Sequence, residues 1–232
     1  MKKIISLISV LVLLAALPLA LASCGDEGMG TGACEYAETR DISGREVYYV
    51  EMSVKDCGKM VLLLDATTAP VTVANFIKLV NEGFYDGLTF HRIMEGFMIQ
   101  GGDPDANGSG GSDQDIKGEF DSNGHPNDIA HIEGVISMAR SNDPDSASSQ
   151  FFICNADARS SLDGNYAAFG YVVEGLSTVH KITEVGMPKT MYYEYYGTAY
   201  HYYWQAYGNG MIESKADQPV IEYIKVLDNY NP

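Results

Sequence analysis

The stretch Phe90–Asp103 reads Phe-His-Arg-Ile-Met-Glu-Gly-Phe-Met-Ile-Gln-Gly-Gly-Asp. It places one guanidinium (Arg92) and one carboxamide (Gln100) among large apolar side chains, with glycines that can turn the backbone. An apolar surface that carries a few fixed polar groups is typical of a site for an apolar ligand. The same pattern also fits a plain pair of strands in which the arginine lays its aliphatic stem along the sheet. Residues elsewhere in the chain are needed to separate these two interpretations.

Short runs of β-branched and aromatic residues on both sides of this stretch predict further strands. The predicted strands lie at Val47–Val54, Met60–Leu64, Gly134–Arg140, Gln150–Cys154, Ala167–Val173 and Val220–Leu227. They do not alternate with helices in the βαβ manner that predicts a parallel sheet. The pattern therefore favours an antiparallel barrel or sandwich with helices over its ends.

Two amphipathic helices are predicted, far apart in the chain. The first begins at Thr67–Pro70, where we expect a hydroxyl near the cap and proline in the first turn. Its apolar residues recur at helical spacing until Gly83 ends the pattern. The second covers Gly175–Val185 and has apolar residues along one face. Each helix is expected to pack its apolar face on the sheet.

Residues 101–128 are rich in Gly, Asp, Asn and Ser, which predicts a long surface loop. Asp103, Asp105 and Asn107 match the first half of a calcium-binding loop. The twelfth position, however, is Gln114, where such a loop has a bidentate glutamate. The five histidines of the chain also lack the spacing of metal ligands. We therefore predict no metal site and no cofactor.

The chain begins with Met-Lys-Lys and continues with an uncharged apolar run over Ile4–Ala22. A basic start followed by an apolar run is typical of an export signal. The following Ser23-Cys24 completes a small-residue ending that resembles the bacterial lipobox, in which the cysteine is lipidated. We predict a signal peptide at 1–23 and an exported protein anchored to the cell membrane by lipid on Cys24. A retained transmembrane anchor is the alternative, which Pro18 disfavours.

Removal of residues 1–23 from the 232-residue chain leaves 209 residues, enough for one single-core domain. Residues 24–44 are polar and Gly-rich and predict a flexible tether, so the folded domain is predicted over 45–232. The chain has a net charge of −16, which repels nucleic-acid phosphates and anionic lipid headgroups. We expect no nucleic-acid partner, membrane attachment through the lipid only, and a monomer.

Three cysteines remain once Cys24 is assigned to the lipid. An exported protein can oxidise a pair of cysteines, and Cys34 with Cys57 is the expected pair because both lie in the polar N-terminal third. Cys154 lies in a predicted apolar strand and is expected to be a buried thiol.

Five short motifs follow one another along the chain. They are Phe90-His91-Arg92-Ile93, Gly96-Phe97-Met98-Ile99-Gln100-Gly101-Gly102-Asp103, Ser137-Met138-Ala139, Ser149-Gln150-Phe151-Phe152-Ile153 and Leu162-Asp163-Gly164. In order and spacing they resemble the cyclophilin family of peptidyl-prolyl isomerases. With Ala74-Asn75-Phe76 of the first predicted helix, the resemblance covers roughly Val47–Val185 and the last strand. A single Phe-His-Arg would be weak evidence, whereas five motifs in register are specific.

The resemblance implies an eight-stranded antiparallel barrel capped by two α-helices, with the site in a groove on its outside. Arg92 is implied as the catalytic arginine, and Gln100 as the amide that orients the substrate. The residues implied to bind substrate are His91, Phe97, Met98, Ala139, Gln150, Phe152, Leu162 and Tyr166. Ala139 would offer backbone groups to the peptide, and a hydrogen-bonded structural role is expected for His91 in preference to a catalytic one.

Two positions depart from the family's pattern. Ser161 stands where many members have tryptophan, which argues against tight binding of the drug cyclosporin. Tyr166 stands where they have histidine, which alters one wall of the pocket without removing it.

These residue types suit rotation about an X-Pro bond, whose barrier of about 18–20 kcal/mol comes from amide resonance. A catalyst of this rotation needs no nucleophile, metal or proton shuttle, because it has only to bind the twisted amide better than the planar forms. The prolyl nitrogen regains its lone pair in the twisted state and can accept a hydrogen bond from the always-protonated guanidinium of Arg92. Gln100 and the apolar walls would hold one side of the bond still while the other turns.

Residues 187–210, the Tyr-rich insertion, have no counterpart in the minimal family pattern. They contain eight tyrosines and Trp204, with Lys189 and Glu194 as their only charged residues. Exposed aromatic residues on this scale usually mark a contact surface for another protein. A hairpin that packs its rings onto its own barrel is the alternative.

The sequence thus predicts an exported, lipid-anchored isomerase that acts on proline-containing polypeptides. One alternative is a peptide-binding chaperone or adhesion module that keeps the groove with little catalysis. Arg92, Gln100 and Phe152 together favour the enzyme, because a pure binder has little need of the guanidinium. A calcium-dependent structural lipoprotein built on the Asp-rich loop is a further alternative.

Overall fold

The computed structural model describes residues 32–186, 209–228 and 230 of the chain. The predicted signal peptide, the lipidation site Cys24 and nearly all of the Tyr-rich insertion lie outside these residues. Within the described part, no helix combines the length and the apolar character that crossing a membrane requires.

Eight strands form one antiparallel sheet. They are β1 (Val47–Val54), β2 (Gly58–Asp65), β3 (Phe90–Met94), β4 (Met98–Gly101), β5 (Val135–Met138), β6 (Phe151–Cys154), β7 (Ala168–Glu174) and β8 (Ile221–Val226). Their order across the sheet is β3-β4-β6-β5-β7-β2-β1-β8. The two edges meet where the Phe90 N–H donates to the Pro219 carbonyl at 2.9 Å. Close by, the Ile221 N–H donates to the Leu88 carbonyl at 2.8 Å, so the sheet curls until its edges join.

Two helices cover the sheet, and two shorter ones lie beside it. The four helices are α1 (Glu35–Thr39), α2 (Pro70–Asn81), α3 (Arg159–Leu162) and α4 (Leu176–Gly186). Single 3₁₀ turns lie at Asp121–Asn123 and Lys215–Asp217. The long helices α2 and α4 match the two predicted ones to within a few residues, whereas α1 and α3 are too short for a periodic pattern to reveal them.

The N-terminus of α2 is capped by a residue distant in sequence, not by the hydroxyl that the sequence predicts. Ala69 occupies the cap position, and no side-chain hydrogen bond comes from it. The buried carboxylate of Glu119 instead accepts the Val71 N–H at 3.0 Å and the Thr72 N–H at 2.8 Å. A carboxylate at this end of a helix is favourable because the first N–H groups have no partner within the helix.

The core lies inside the curled sheet, and β2 is buried on both of its faces. Met60, Leu62 and Leu64 point into the inner core, which also holds the aromatic ring of Phe76 from α2. Leu63, on the opposite face of the strand, belongs to a second apolar cluster on the outside of the sheet. This second cluster exists because a further segment of the chain covers it.

That covering segment is residues 34–45, of which 34–44 are predicted from the sequence to be part of a flexible tether. The prediction is wrong for these residues: Cys34 is 1% exposed in the outer cluster, and α1 follows directly. Arg40 and Arg45 contact the buried carboxylate of Asp65 at 3.2 and 2.8 Å. The polar composition concealed a few apolar residues whose partners lie far away in the sequence. We call residues 34–45 the N-terminal segment.

Cys34, Cys57 and Cys154 are free thiols, and all three are buried. The predicted pairing of Cys34 with Cys57 is wrong, because Cys34 lies in the outer cluster and Cys57 in the inner core. Cys154 is the buried thiol that the sequence predicts, and burial raises its pKa to about 12.

Candidate active site

The register of three neighbouring strands brings Arg92, Gln100 and Phe152 into one row. Arg92 of β3 pairs with Gln100 of β4, and Gln100 pairs with Phe152 of β6. Residues directly opposite each other in a sheet share a face, so these three side chains point the same way. Two residues further along the strands, a second row on this same face consists of Met94, Met98 and Cys154. The two rows are the floor of the groove.

A β-bulge at His91 gives Arg92 its direction. The register of β3 against β4 shifts between Phe90 and Arg92. In a regular strand these two residues, two apart, would share a face. The extra residue lets the ring of Phe90 enter the inner core while Arg92 lies on the groove face. The bulge therefore allows β3 to place Phe90 in the core and the Arg92 guanidinium in the groove.

Three acceptors hold the Arg92 guanidinium. Its Nε donates to the Asn209 carbonyl at 2.6 Å, one terminal nitrogen donates to Gln100 Oε1 at 3.1 Å, and the other contacts Met94 Sδ at 3.1 Å. All three acceptors are neutral, and within the described residues no carboxylate pairs with this guanidinium. Partial burial lowers the pKa of Arg92, with Tyr166 opposing the shift. The group remains a cation at neutral pH because an arginine is effectively always protonated.

A chain of carboxamides continues from Arg92 across the groove. Gln100 Nε2 donates to Gln150 Oε1 at 2.9 Å, and Gln150 Nε2 donates to the Gly110 carbonyl at 2.7 Å. Each amide uses both its donor and its acceptor side, so its orientation is fixed by its neighbours. Gln100 and Gln150, both predicted from the sequence, thus form one connected unit.

The predicted apolar walls come together in a single cluster. Of the predicted residues, Met98, Phe152 and Leu162 are buried members of the cluster, and Phe97, Ala139 and Tyr166 pack against it. The cluster also contains Met94, Cys154 and Ala158, which the sequence analysis did not identify. Met94 and Cys154 could have been found by strand alternation, since each lies two residues from a predicted site residue.

Tyr166 stands at one end of this cluster. Its ring meets Phe152 edge to face, with centroids 5.8 Å apart. The Arg140 guanidinium lies over the Tyr166 ring, 4.7 Å from its centroid, and donates to the Asn165 carbonyl at 2.9 Å. Tyr166 is therefore held as a wall between an aromatic ring and a cation, and Arg140 is a supporting residue that the sequence did not reveal.

Behind Phe152, three polar residues form a hydrogen-bonded chain. His131 Nδ1 lies 2.8 Å from Asp163 Oδ1, and Nε2 lies 3.0 Å from Ser137 Oγ. The residue types match a hydrolytic triad, yet Ser137 is fully buried and His131 is 1% exposed, so a substrate cannot reach them. The His131 ring stacks on Phe152 at 6.1 Å. The chain therefore supports a pocket wall, and burial lowers the pKa of His131, which favours the neutral ring.

A polar recess of about 380 Å³ adjoins the apolar groove. It is lined by Gln100, Gly108–Ser112, Asp115, Ala139–Ser141, Ser146, Ser148 and Gln150. Gln100, Ala139 and Gln150 belong to both the recess and the predicted groove. A peptide in the groove would therefore place its neighbouring residues beside small, polar side chains.

Two predicted site residues are placed differently from their expected roles. His91 is completely buried, and its ring nitrogens have no hydrogen-bond partner in the described part of the chain. The described residues thus give no hydrogen bond for the expected structural role, and the buried ring does not line the groove. The Ala139 N–H donates to the Gln150 carbonyl at 2.9 Å, so only its carbonyl oxygen remains to meet a peptide.

The acidic loop after β4 is organised by one buried carboxylate. Asp103 accepts the N–H groups of Asp105 at 2.8 Å, Asn107 at 3.1 Å and Gly108 at 2.5 Å. Burial acts to raise the pKa of Asp103, but these donors outweigh it and hold the pKa below its usual value. The residue that begins the partial calcium pattern is therefore engaged with backbone donors. Among the described residues, no group of His, Cys, Asp or Glu is arranged to hold a metal ion.

Comparison with known proteins identifies relatives of this arrangement. A family model described as cyclophilin type peptidyl-prolyl cis-trans isomerase/CLD matches residues 49–193. Peptidyl-prolyl cis-trans isomerase A of Dickeya dadantii is 42% identical over 133 residues, which cover 55% of this chain and 67% of that protein. Peptidyl-prolyl cis-trans isomerase B of Bacillus subtilis is 46% identical over 123 residues, covering 53% of this chain and 82% of that protein.

A solved structure shares the fold. It is the crystal structure of a cyclophilin type peptidyl-prolyl cis-trans isomerase from Cryptosporidium parvum in the presence of the dipeptide Ala-Pro. The TM-score is 0.61 with 25% sequence identity, and the match covers 78% of this chain and 99% of that one. The predicted antiparallel barrel is thus confirmed, and the family that the five sequence motifs resemble is supported by independent matches.

Proposed function

Because the chain belongs to the cyclophilin-type peptidyl-prolyl cis-trans isomerase family and is an enzyme of that type, we propose that Arg92 drives its catalysis by stabilising the twisted X-Pro amide. The observation that carries this proposal is the setting of the guanidinium. It lies on the same sheet face as the apolar cluster and is held only by neutral acceptors within the described residues. Its positive charge is therefore free to act on a substrate.

The groove performs this chemistry without a bond to the substrate. The proline ring would pack against Phe152, Met98 and Leu162, which exclude water from the rotating bond. An arginine carries five N–H groups, and three of those of Arg92 point to protein acceptors. The remaining two can donate to the prolyl nitrogen as it regains its lone pair. Since planar amides lack this acceptor, the interaction lowers the barrier more than it stabilises the ground state.

Gln100 would hold the peptide on one side of the rotating bond. Its amide is fixed between Arg92 and Gln150, so it is oriented before the substrate arrives. Preorganised groups contribute more to a rate than groups that must be ordered during the reaction. The carbonyl of Ala139 would add a second fixed contact.

Proline-containing polypeptides are the proposed substrates. The structural neighbour from C. parvum was solved in the presence of an Ala-Pro dipeptide, which supports proline as the bound residue. The N-terminal sequence supports export and lipidation at Cys24. We propose that the enzyme is exported, anchored to the cell membrane by lipid on Cys24, and acts as a monomer on proteins that fold outside the cytoplasm.

The first test is cis-to-trans relaxation of a short X-Pro peptide across pH 6 to 8, with peptide binding measured in parallel. We expect acceleration that is nearly independent of pH, because a guanidinium does not titrate in this range. Arg92→Ala should still bind the peptide but lose most of the acceleration. Peptide binding without acceleration by the wild-type protein would favour the alternative, a chaperone or adhesion module.

The Tyr-rich insertion is proposed to recruit a protein partner or client. Its support is compositional: eight tyrosines and one tryptophan against two charged residues. Replacing residues 188–207 with a short Gly-Ser linker should weaken binding of an unfolded client protein while sparing turnover of a short peptide. Equal loss of both activities would indicate that the aromatic residues serve the domain itself. Equal retention of both would contradict a recruiting role.

A further inference from the structure

Asn209–Ile212, which begin with the last two residues of the Tyr-rich insertion, pair with β3 beside the proposed catalytic arginine. We call Asn209–Ile212 the stem segment. The Ile93 N–H donates to the Gly210 carbonyl at 2.8 Å, and the Ile212 N–H donates to the His91 carbonyl at 2.9 Å. Between these two bonds, Met211 stands directly opposite Arg92. The stem segment therefore continues the sheet by one short strand at the β3 edge.

The stem segment supplies the shortest hydrogen bond to Arg92. The Asn209 carbonyl accepts from Arg92 Nε at 2.6 Å, compared with 3.1 Å from the terminal nitrogen to Gln100 Oε1. Nε is the nitrogen nearest the aliphatic stem, so fixing it fixes the plane of the whole guanidinium. The side chain of Asn209 in turn accepts the Met211 N–H at 3.1 Å, which holds the turn that presents the carbonyl.

The downstream end of the stem segment is anchored in the core. Gln218 Nε2 donates to the Ile212 carbonyl at 2.7 Å and to the Ala106 carbonyl at 2.9 Å. The side-chain Oε1 of Gln218 accepts from the Thr89 hydroxyl, and both residues are buried. The acceptor of Arg92 is thus tied to a rigid part of the barrel.

Gly210 allows the close approach. Its φ is +77°, a conformation that side chains disfavour. A Cβ at this position would stand 2.5 Å from Met94 Cγ and 2.7 Å from the Ile93 carbonyl oxygen. Any larger residue would push the stem segment away from β3 and move the Asn209 carbonyl away from Arg92.

We infer that the stem segment is a positioning element of the active site, with the Asn209 carbonyl setting the plane of the Arg92 guanidinium. This inference rests on the proposed role of Arg92. It assigns to residues outside all five family motifs a part in the reaction. Their effect passes through Arg92 and involves no contact with the substrate.

The test is Gly210→Ala in the full chain, held in detergent. We expect kcat/KM for a short X-Pro peptide to fall about tenfold, the size of one hydrogen bond to a charged group. The fall should lie in kcat, with the affinity for the peptide nearly unchanged. The ¹⁵N-detected Nε–H signal of Arg92 should also lose its protection from solvent exchange. A merely structural substitution would not move this signal selectively.

Gly44→Ala is the matched control. Gly44 has nearly the same φ, +74°, but a Cβ there meets nothing within 4 Å. It carries the same backbone strain without displacing a neighbour, so its kcat and Arg92 signal should match the wild type. If Gly210→Ala does not fold, Asn209→Ala replaces it. That variant removes only the acceptor for the Met211 N–H and should lower kcat by about threefold, part of one hydrogen bond.

The outcomes separate the two levels of the proposal. A fall in kcat with an unprotected Nε–H supports the stem segment as a positioning element. A fall in kcat with the Nε–H still protected, or no fall at all, overturns it. If Arg92→Ala retains the wild-type rate, the proposed mechanism itself fails, whatever the stem segment does.

Discussion

Two partly buried arginines on this barrel are held in opposite ways. Arg40, in the N-terminal segment, contacts the carboxylates of Asp65 at 3.2 Å and Asp128 at 2.9 Å. Burial acts to lower the pKa of Arg40, but its hydrogen bond to Asp128 and the surrounding charges raise it overall. Arg92 has carbonyl, amide and thioether acceptors, and burial lowers its pKa.

The difference separates a structural cation from the proposed catalytic one. The charge of Arg40 is neutralised by the carboxylates of Asp65 and Asp128. These ion pairs attach the N-terminal segment to the barrel. Neutral acceptors fix the geometry of Arg92 without cancelling its charge. A cation that is oriented but unpaired can respond to the new lone pair of a twisted amide. The identity of the acceptors therefore indicates the role of each guanidinium better than its burial does.

The largest effect should come from removing Arg92, the proposed catalytic cation. Arg92→Ala is expected to lower kcat/KM by about 10²–10³, the loss seen when one preorganised donor to a transition state is deleted. Arg40→Ala should keep kcat/KM per folded molecule near the wild-type value. Both variants would be assayed by peptide relaxation after the folded fraction is measured by circular dichroism. Similar losses in the two variants would erase the distinction between the arginines.

The second effect concerns stability, which Arg40→Ala should lower more than Arg92→Ala does. Arg40→Ala leaves the fully buried carboxylate of Asp65 with Arg45 as its one remaining cation among the described residues. We expect unfolding to become easier by about 2–3 kcal/mol, below the usual cost of breaking a buried pair because Arg45 remains. Urea unfolding would measure the change.

Arg159→Ala provides the control for that measurement. Arg159 pairs with Asp157 at 2.6 Å, but both side chains are more than half exposed. Solvent screens such a pair, so its loss should change stability little. A loss of stability as large as that of Arg40→Ala would mean that burial does not determine how much these ion pairs contribute to the free energy of unfolding.

A third, smaller effect should appear with pH, in stability but not in the rate per folded molecule. Burial lowers the pKa of His91 and of His131 below the usual 6.5, with Asp103 and Asp163 respectively opposing the shift. The unfolded chain then binds protons that the folded chain does not. Stability is fully present above about pH 6.5 and falls as the pH drops, by at most about 1.4 kcal/mol per pH unit for each histidine.

Urea unfolding between pH 5 and 8 would measure this slope, with peptide relaxation recorded on the same samples. His131→Gln should remove the share of the slope that belongs to His131. A rate per folded molecule that changed steeply with pH would mean that a group other than a guanidinium takes part in catalysis.

The smallest effect is expected from a chelator. A divalent cation in the loop that begins at Asp103 would add positive charge beside the strand that carries Gln100. We expect the melting temperature to be the same with and without EDTA, because Asp103 already accepts three backbone N–H groups. A calcium ion present at 100 times its dissociation constant would contribute about 2.7 kcal/mol, which is readily measured.

Much of the fold was predictable because it depends on periodic patterns. The strands Val47–Val54 and Phe151–Cys154 and the helix Pro70–Asn81 follow alternating or helical apolar residues. The cluster of Phe97, Met98, Phe152 and Leu162 was predictable through the family resemblance, and strand alternation adds Cys154.

The remaining features depend on contacts between distant residues. Glu119 reaches the N-terminus of α2 from 47 residues away, and Arg40 meets Asp128 across 88 residues. Neither contact leaves a periodic signal. The bulge at His91 adds one residue to a strand without changing its composition, so its effect on Arg92 was hidden. The acceptor from Asn209 is a backbone carbonyl, which every residue has.

If the chain is anchored through Cys24, as proposed, the docked N-terminal segment limits the distance between the barrel and the membrane. If all of residues 24–44 formed an unattached tether, its roughly twenty residues would span at most about 70 Å when fully extended. Because Cys34 is buried on the barrel, only the ten residue steps from Cys24 to Cys34 can act as a tether. The distance from Cys24 to the barrel is then at most roughly 35 Å. With lipid on Cys24, as proposed, the enzyme would be confined to a thin layer beside the bilayer. It would meet polypeptides soon after they emerge from the membrane, before they diffuse away.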